Sequence, residues 1–506
     1  MTVEFDYIVI GAGSAGCVLA NRLSAEPGTS VLLLEAGGPD SNPAIHVPPA
    51  WPTLLGTEAD WAYTTETEPH LGQAQVPAPR GKVLGGTSAL NAMVYIRGRR
   101  SDYDGWRDRG CSGWGYADVL PHFKRSEDQC RGENEYHGVG GPLHVSDPSE
   151  PSSGSLAFLQ AAEAAGHAAN PDFNGEHQAG SGLYQRTIKD GRRQSAAVAF
   201  LHPILNRSNL ATRTGVLVHN LIIEKRRAVG VLLSTGETIR VRREVIVCGG
   251  AFNSPKLLML SGVGPADHLR QHGIEVILDL PGVGANLQDH PMIKVVFRTS
   301  QPLPVAPSSN LAEAGLFMKT DASEPAPDVQ FHFAPVPWPH PSLVCEGPGF
   351  TVAVNLARPQ SRGRVRLRSA APAAAPCIQA NYMEHPDDLK RMIRAVDEAC
   401  AIGSRMKLDG TTVFCPAAGA ACETFVRQVC ETIWHPVGTC KMGADEMAVV
   451  DSDLRVRGID GLRVVDASIM PTITSGNTNA PTIMIAEMAA ARIHHQQRSA
   501  SNSTMP

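Results

Sequence analysis

The stretch FDYIVIGAGSAGCVLANRLSAEPGTSVLLLEAG, residues 5–37, decides how the rest of the chain is read. Tyr7 to Ile10 is a short apolar run of the kind that forms a buried parallel strand. Gly11, Gly13 and Gly16 follow as G-x-G-x-x-G, and helical spacing then continues from Cys17 to Leu23. A second apolar run, Val31 to Leu34, ends at Glu35. Strand, glycine turn, helix, strand and acid in this order are the parts of a dinucleotide-binding unit. Gly11 permits the tight turn, Gly13 lets backbone approach a pyrophosphate, and Gly16 lets helix and strand pack closely. The helix start at Ser14 and Ala15 offers free N–H groups and a positive dipole end to the phosphates. Glu35, followed by Ala36, can accept hydrogen bonds from a ribose diol. An acid at that place suits an unphosphorylated adenosine ribose, which leaves both FAD and NAD open.

Bulk properties set the outer bounds. A chain of 506 residues is too long for one core and suggests two or three domains. With 42% hydrophobic and 19% charged residues, the composition is that of a globular enzyme. A net charge of -5 gives no basic footprint, so no nucleic-acid partner is expected. No apolar run has the length of a membrane span, and the opening MTVEFDYIVIGAG has neither the basic start nor the cleavage site of a secretory leader. The 11 cysteines are scattered without a CxxC pair, so no disulfide framework and no metal site are expected, and a reducing cytoplasm is the simplest compartment. The polar end, residues 496–506, is expected to be a flexible tail. No segment specifies an oligomeric state.

Two more glycine-rich stretches follow the first. In GKVLGGTSALNAMVYIRG, residues 81–98, Gly85 and Gly86 precede Thr87 and Ser88, and an apolar stripe comes after. Such a segment can lay backbone against a flat ring or a phosphate. EVIVCGG reads as a buried strand ending in a glycine turn at Cys248 and Gly249. GAFNSPKLLMLSGVG, residues 250–264, then reads as a helix with Ser254 as its N-cap and Pro255 at its first position. Further on, TIWHPVGTCKMG, residues 432–443, sets His435 between Trp434 and Pro436. Alone it could be a catalyst, a metal ligand or a packed core residue, although no HxxxH pair or acidic cluster accompanies it. Leu462 to Val465 reads as one more buried strand, ending at Asp466. NTNAPTIMIAEMAAARI, residues 477–493, reads as a loop and a helix starting near Pro481.

Together, GAGSAG with LLLEAG, the two later glycine-rich stretches, and HPVGTCKMG with NTNAPTIMIAE make the chain resemble the glucose-methanol-choline (GMC) oxidoreductase family, including its choline dehydrogenase-like alcohol oxidases and dehydrogenases. The resemblance runs from residue 8 to about residue 490. It implies FAD rather than NAD, and oxidation of a small-molecule alcohol to an aldehyde or ketone, with oxygen or another acceptor taking up the electrons. It also implies an α/β fold, a Rossmann-like FAD-binding domain with an inserted α+β substrate domain on an antiparallel sheet. The FAD domain is expected in residues 1–45, 75–110, 195–295 and 430–500, and the substrate domain with covering segments in 46–74, 111–194 and 296–429. DVQFHF (328–333), FTVAVNL (350–356) and GRVRLRS (363–369) are β-rich runs suited to that sheet, and the proline-rich APVPWPHPS is expected to be a loop.

Carried onto this sequence, the resemblance makes His435 the active-site histidine and Asn479 its partner. A neutral imidazole can take the hydroxyl proton while a hydride leaves carbon for flavin N5. An amide can hold the oxygen as negative charge develops on it, and two groups on the alcohol orient its C–H bond. Asp466 and Ala467 correspond to a contact with the flavin's ribityl chain. The helix start near Thr482 lies by the pyrimidine ring, where its dipole favours the negative charge of the reduced flavin. Trp61, Val83, Asn91, Ala92, Met93, Val94, Val218, Cys248, Gly249 and Ser254 complete the expected FAD contacts. Leu90 stands where some members bind FAD covalently through a histidine, so dissociable FAD is expected. Glu313 lies where choline-oxidising members face a cationic head group, although a glutamate there is also a frequent family feature. Phe331, Phe333, Trp338, Met93 and Trp434 are candidate cavity walls, and His494 and His495 are expected to be solvated at a helix end. The same fold hosts hydroxynitrile lyases and a light-driven decarboxylase, and a flavin-binding protein without turnover is a third class. The His435–Asn479 pair favours the redox reading over all of these.

Overall fold

Residues 4–35 build the centre of a seven-stranded sheet in this computed structural model, which describes residues 4–416 and 422–503. Strand Glu4–Ile10 lies between Val31–Leu34 and Thr238–Val247, parallel to both. Leu210–Arg213 joins Val31–Leu34, and Leu462–Val464 joins Thr238–Val247, again in parallel. Arg227–Leu233 and Val218–Glu224 extend the far edge as antiparallel strands. The central parallel strands are buried on both faces, which is why they read as unbroken Ile, Val and Leu rather than as alternation. Helices Ser14–Leu23 and Asn479–Ser503 pack together, tied by Arg22, which donates at 2.6 Å to the fully buried Glu487. A Cβ on Gly16 would fall 1.8 Å from the Gly11 carbonyl oxygen, so the first helix can sit on its turn only because that position has no side chain.

The helix after the second glycine turn starts earlier than the sequence suggests. It spans Gly250–Leu260, so Ser254 and Pro255 lie inside it and Ser254 is not its cap. Proline in a helix leaves the carbonyl four residues earlier without its N–H partner. Here that carbonyl, on Ala251, accepts instead from the Thr439 hydroxyl at 2.5 Å. Ser254 donates at 2.5 Å to Asp466, which joins this helix to the end of the last parallel strand.

A second, antiparallel sheet runs in the order 412–415, 291–298, 349–356, 329–334, 314–318 and 180–183, with 431–432 also paired to 291–298. Its strands obey a period of two. Ile293, Val295, Phe297, Phe331, Phe333, Phe350, Val352 and Val354 point to one face, where they form a core with Phe158 and Met392 from helices Ser153–Ala164 and Pro386–Arg405.

Several expectations are corrected by this arrangement. Strand Pro291–Arg298 crosses the boundary expected at residue 295. Trp114, Val119, Phe123, Leu143 and Val145 share the core of the parallel sheet, so this part of 111–194 packs with the nucleotide half. GRVRLRS does not join the large antiparallel sheet; Arg364–Arg366 pairs with Cys377–Gln379 alone. The polar end is not a loose tail from residue 496, because the last helix continues to Ser503 and Gln496 accepts from Arg463 at 2.7 Å; residues 504–506 lie outside the described residues. His495 is exposed, but His494 is partly buried against the Arg22 carbonyl. All 11 cysteines are free, no group of metal-ligating side chains occurs among the described residues, and no helix among them is long and apolar enough to cross a membrane.

Candidate active site

A cavity of about 590 Å³ is lined by residues of both sheets. At one end lie the glycine turns. Gly86 (φ +54°) faces Gly13, and a Cβ on Gly86 would come within 2.7 Å of the Gly13 Cα, so two distant motifs meet backbone to backbone. Glu35 is buried there and accepts from the backbone N–H groups of Ala12 and Gly37, each at 2.8 Å. Burial pushes its pKa up, opposed by these N–H groups. Asp466 accepts from Gly250 N at 2.8 Å and from Ser468 N at 2.8 Å. These donors, acceptors and bare glycine backbones fit an adenine dinucleotide. Of the residues expected to hold the cofactor, all line this cavity except Gly16, Val83, Gly85 and Ser254. Gly16 packs helix on turn, Val83 sits in a small core with Ile45 and Leu90, Gly85 faces Ser195, and Ser254 reaches Asp466 from behind.

At the other end lies His435. Its backbone leaves Trp434 in a left-handed conformation (φ 64°), held by the Thr432 hydroxyl, which accepts from Trp434 N at 2.7 Å. Asp289 fixes the segment from beneath. One of its oxygens accepts from His435 N (2.7 Å) and His290 N (2.9 Å), and the other accepts from the hydroxyls of Tyr382 (2.7 Å) and Thr432 (2.5 Å). Burial pushes the Asp289 carboxyl up, while these donors and Arg80 pull it down. The His435 ring is held between two partners. Its Nδ1 lies 3.0 Å from Nδ1 of His290, and its Nε2 lies 3.2 Å from Nδ2 of Asn477. Burial holds the His435 pKa well below the usual histidine range, with His290, His332 and Arg80 adding to the effect. It is therefore a neutral imidazole at neutral pH, the form that can accept a proton.

Asn479 is not the partner of His435. It lies two residues on, in the first turn of the last helix, and accepts from the Ser14 hydroxyl at 2.7 Å, toward the glycine turn. Asn477 takes the position beside the imidazole. The two asparagines of NTN are indistinguishable by type, and only the start of the helix separates their directions.

Three of the expected cavity walls are also corrected. Phe331 and Phe333 are wholly buried on the far face of their strand, where Phe333 stacks on Phe158 at 5.6 Å between ring centroids. Alternation instead sends His332 and Ala334 to the cavity and Gln330 to Asn477. Glu313 does not reach the cavity. It is buried and accepts from Ser152 N (2.8 Å) and the Ser155 hydroxyl (3.0 Å), satisfying the start of helix Ser153–Ala164. Met93, Trp338 and Trp434 do line the cavity, joined by Trp51, for which the sequence carried no signal. The rings of Trp51, Trp338 and Trp434 contact one another at 6.0 to 6.2 Å. The ammonium of the buried Lys294 lies 4.1 Å from the Trp338 ring and pairs with Glu431, and Arg80 donates to the Trp434 carbonyl. The carboxylates that line the cavity among the described residues, Glu35 and Asp466, both lie at the nucleotide end.

Known proteins agree with this architecture. Two GMC oxidoreductase family models match the chain, over residues 5–292 and 359–486. An oxygen-dependent choline dehydrogenase from Brucella anthropi is 41% identical, covering 97% of this chain and 96% of its own length. One from Rhizobium etli is 42% identical over 100% of this chain and 98% of its own. Among solved structures, a pyridoxine 4-oxidase from Mesorbium loti superposes with a TM-score of 0.93 at 35% identity, covering 97% of this chain and 99% of its own. A formate oxidase superposes at 0.89 with 27% identity, covering 98% and 99%. These relatives are dehydrogenases and oxidases and give no support to the hydroxynitrile lyase reading.

Proposed function

The chain belongs to the GMC oxidoreductase family, and on that premise we propose that it oxidises an uncharged alcohol with His435 as the base. The protein is an FAD-dependent oxidoreductase acting on CH–OH groups, and its product is an aldehyde or ketone. Bound FAD supplies the acceptor for the hydride, the one part of the chemistry the chain itself lacks. The residues lining the glycine end, with Glu35 and Asp466 as acceptors, would hold it.

The observation that carries the assignment is a buried neutral imidazole whose Nε2 shares the cavity with an amide N–H of Asn477. His435 Nε2 takes the hydroxyl proton. The electron pair of the O–H bond stays on oxygen and becomes the second C–O bond as hydride leaves carbon. Asn477 Nδ2 donates to that oxygen while it carries negative charge, a contact worth most in a site without water. His332, whose Nε2 has no hydrogen-bond partner among the described residues, is a further group for the substrate's polar atoms. Ser14 and Asn479 act at the cofactor rather than on the alcohol.

The substrate end supports an uncharged alcohol with a flat or apolar body. Three indoles form its wall, and a cation already occupies one of them. Among the described residues no carboxylate lines this end to balance a quaternary ammonium, and Glu313 is engaged at the start of a helix. A cationic head group would lose its hydration here without an opposite charge in return. Leu90 at the cavity wall cannot bond covalently to the cofactor, which supports dissociable FAD. Eleven unpaired cysteines support a reducing, cytoplasmic compartment.

The test is the visible spectrum of the purified protein, anaerobic and in the dark, before and after addition of benzyl alcohol, pyridoxine, a primary aliphatic alcohol or choline. Bleaching of the flavin band by the neutral ring-bearing alcohols, faster than by choline, is expected. Bleaching by choline alone rejects the uncharged substrate, and no bleaching by a broader panel rejects alcohol oxidation. Admitting oxygen afterwards shows whether oxygen itself serves as the acceptor.

A further inference from the structure

A chain of buried hydrogen bonds runs from the substrate sheet into both sides of the His435 ring. The Tyr184 hydroxyl donates its only proton to the Phe331 carbonyl at 2.6 Å. It can therefore only accept from Gln330, which fixes the amide nitrogen of Gln330 toward it, at 3.2 Å. The same nitrogen donates to Oδ1 of Asn477 at 3.1 Å. Asn477 is thereby turned so that its NH₂ group faces Nε2 of His435 at 3.2 Å. That nitrogen must carry a lone pair. A neutral imidazole has one N–H, so the proton of His435 sits on Nδ1. Nδ1 points at Nδ1 of His290, 3.0 Å away, with the two rings at 88°. His290 must then offer a lone pair there and carry its own proton on Nε2. That Nε2 is buried and has no hydrogen-bond partner among the described residues, while backbone groups of Ala357 and Thr474 near the ring favour its protonated form.

From this chain we infer that His290 is a positioning residue that holds His435 in its Nδ1–H tautomer and accepts a hydrogen bond from the imidazolium formed when the alcohol gives up its proton. The inference rests on the reading of His435 as the base. The His290 ring is 0% exposed. Burial holds its pKa down to about 3, so it stays neutral and does not compete for the proton. When the hydroxyl O–H bond breaks, an N–H bond forms at Nε2 of His435 and the ring becomes cationic. The Nδ1–H bond remains, and its hydrogen bond to the neutral His290 strengthens. A carboxylate serves this purpose in a Ser-His-Asp triad, where loss of the correct tautomer is severe. Here the nearby carboxylate, Asp289, is spent on the backbone N–H groups of both histidines and on two hydroxyls. Gly315 leaves room for the far end of the chain, since a Cβ there would lie 2.1 Å from the Tyr184 hydroxyl.

Two variants and one spectrum test this. His290→Phe keeps a ring but removes the acceptor, and the limiting rate of flavin reduction is expected to fall about 10²-fold with FAD content and alcohol affinity unchanged. His290→Asn puts an amide oxygen near the place of Nδ1 and should recover about tenfold of that loss. Wild-type speed in His290→Phe overturns the inference, and so do equally slow Phe and Asn variants, which would make His290 a space filler. Independently of either variant, ¹⁵N-histidine spectra of the wild-type holoenzyme, with the His435 signals identified by their absence in His435→Ala, should show a protonated Nδ1 and an unprotonated Nε2. A protonated Nε2 overturns the inference even where the variants do not fold. If His435→Ala itself reduces its flavin at full speed, the base assignment fails first and takes this inference with it.

Discussion

The two ends of the cavity are built in different ways. The nucleotide end is made of backbone: glycine turns, a helix start and two acids at strand ends, each within a few residues of the strand that carries it. The substrate end is made of side chains drawn from far apart in the chain, with Trp51, His332, Trp338, His435 and Asn477 converging on one volume. The first kind of site is a local property of the chain. The second depends on strand alternation and on which residue starts a helix, so a shift of one or two positions exchanges a cavity residue for a core residue.

The largest expected effect breaks the nucleotide end. Gly16→Ala drives a Cβ to 1.8 Å from a backbone oxygen that cannot move without opening the turn. Loss of folded holoprotein is expected, read as flavin content and melting temperature; a yellow protein melting near the wild-type temperature would show the turn to be adaptable. Next comes His435→Ala, which should retain FAD and slow flavin reduction by about 10³-fold in anaerobic stopped flow. Full-speed reduction would remove His435 from the chemistry.

The sharpest division of the two ends is the pair of asparagines. Asn477→Ala should lower the limiting reduction rate about 10²-fold and leave FAD in place. Asn479→Ala, which loses the contact to Ser14, should loosen FAD in dialysis and change the reduction rate by no more than about threefold. The opposite pattern would return the catalytic role to Asn479. Smaller again is the contrast along one strand and its following loop. Phe333→Leu should lower stability by about 1 kcal/mol and leave alcohol preference unchanged, whereas Trp338→Leu should shift preference among alcohols with little change in stability.

The most modest effect is on pH. His290 and His332 are held neutral by burial, with pKa values pushed down to about 3 and about 4, and His435 is lowered as well. Unfolded, each would bind a proton near the ordinary value of 6.5. The unfolded chain therefore binds more protons below that pH, and stability falls as pH drops from 6.5 toward 4. Urea midpoints should decline across this window, and His290→Phe should flatten the decline. Flavin reduction should stay level above pH 7 and fall only well below the usual histidine range, since the base is already neutral.

Much of the nucleotide half was legible because its signals are contiguous. Strand Val31–Leu34 falls where the apolar run lies, and the glycine spacing names the turn. Even there, Ser254–Pro255 imitates a helix start, and only the hydroxyl of Thr439, far along the chain, explains how the proline is tolerated inside. In the substrate half, DVQFHF and FTVAVNL are legible as strands, but the direction of their faces is not. Both faces of Val329–Ala334 are buried, one by helices and one by the cavity, so hydrophobicity does not mark the side that meets substrate.

What the sequence determined by itself is the family, the cofactor class and the histidine, because a backbone that must approach a pyrophosphate admits few residue types and keeps them adjacent. What the tertiary structure decided is which asparagine faces that histidine, which second histidine meets its other nitrogen, and which side chains line the cavity. Those follow from hydrogen bonds between residues as far apart as His290 and His435, or Tyr184 and Phe331. A hydrogen bond depends on distance and direction in space, and no spacing along the chain encodes either.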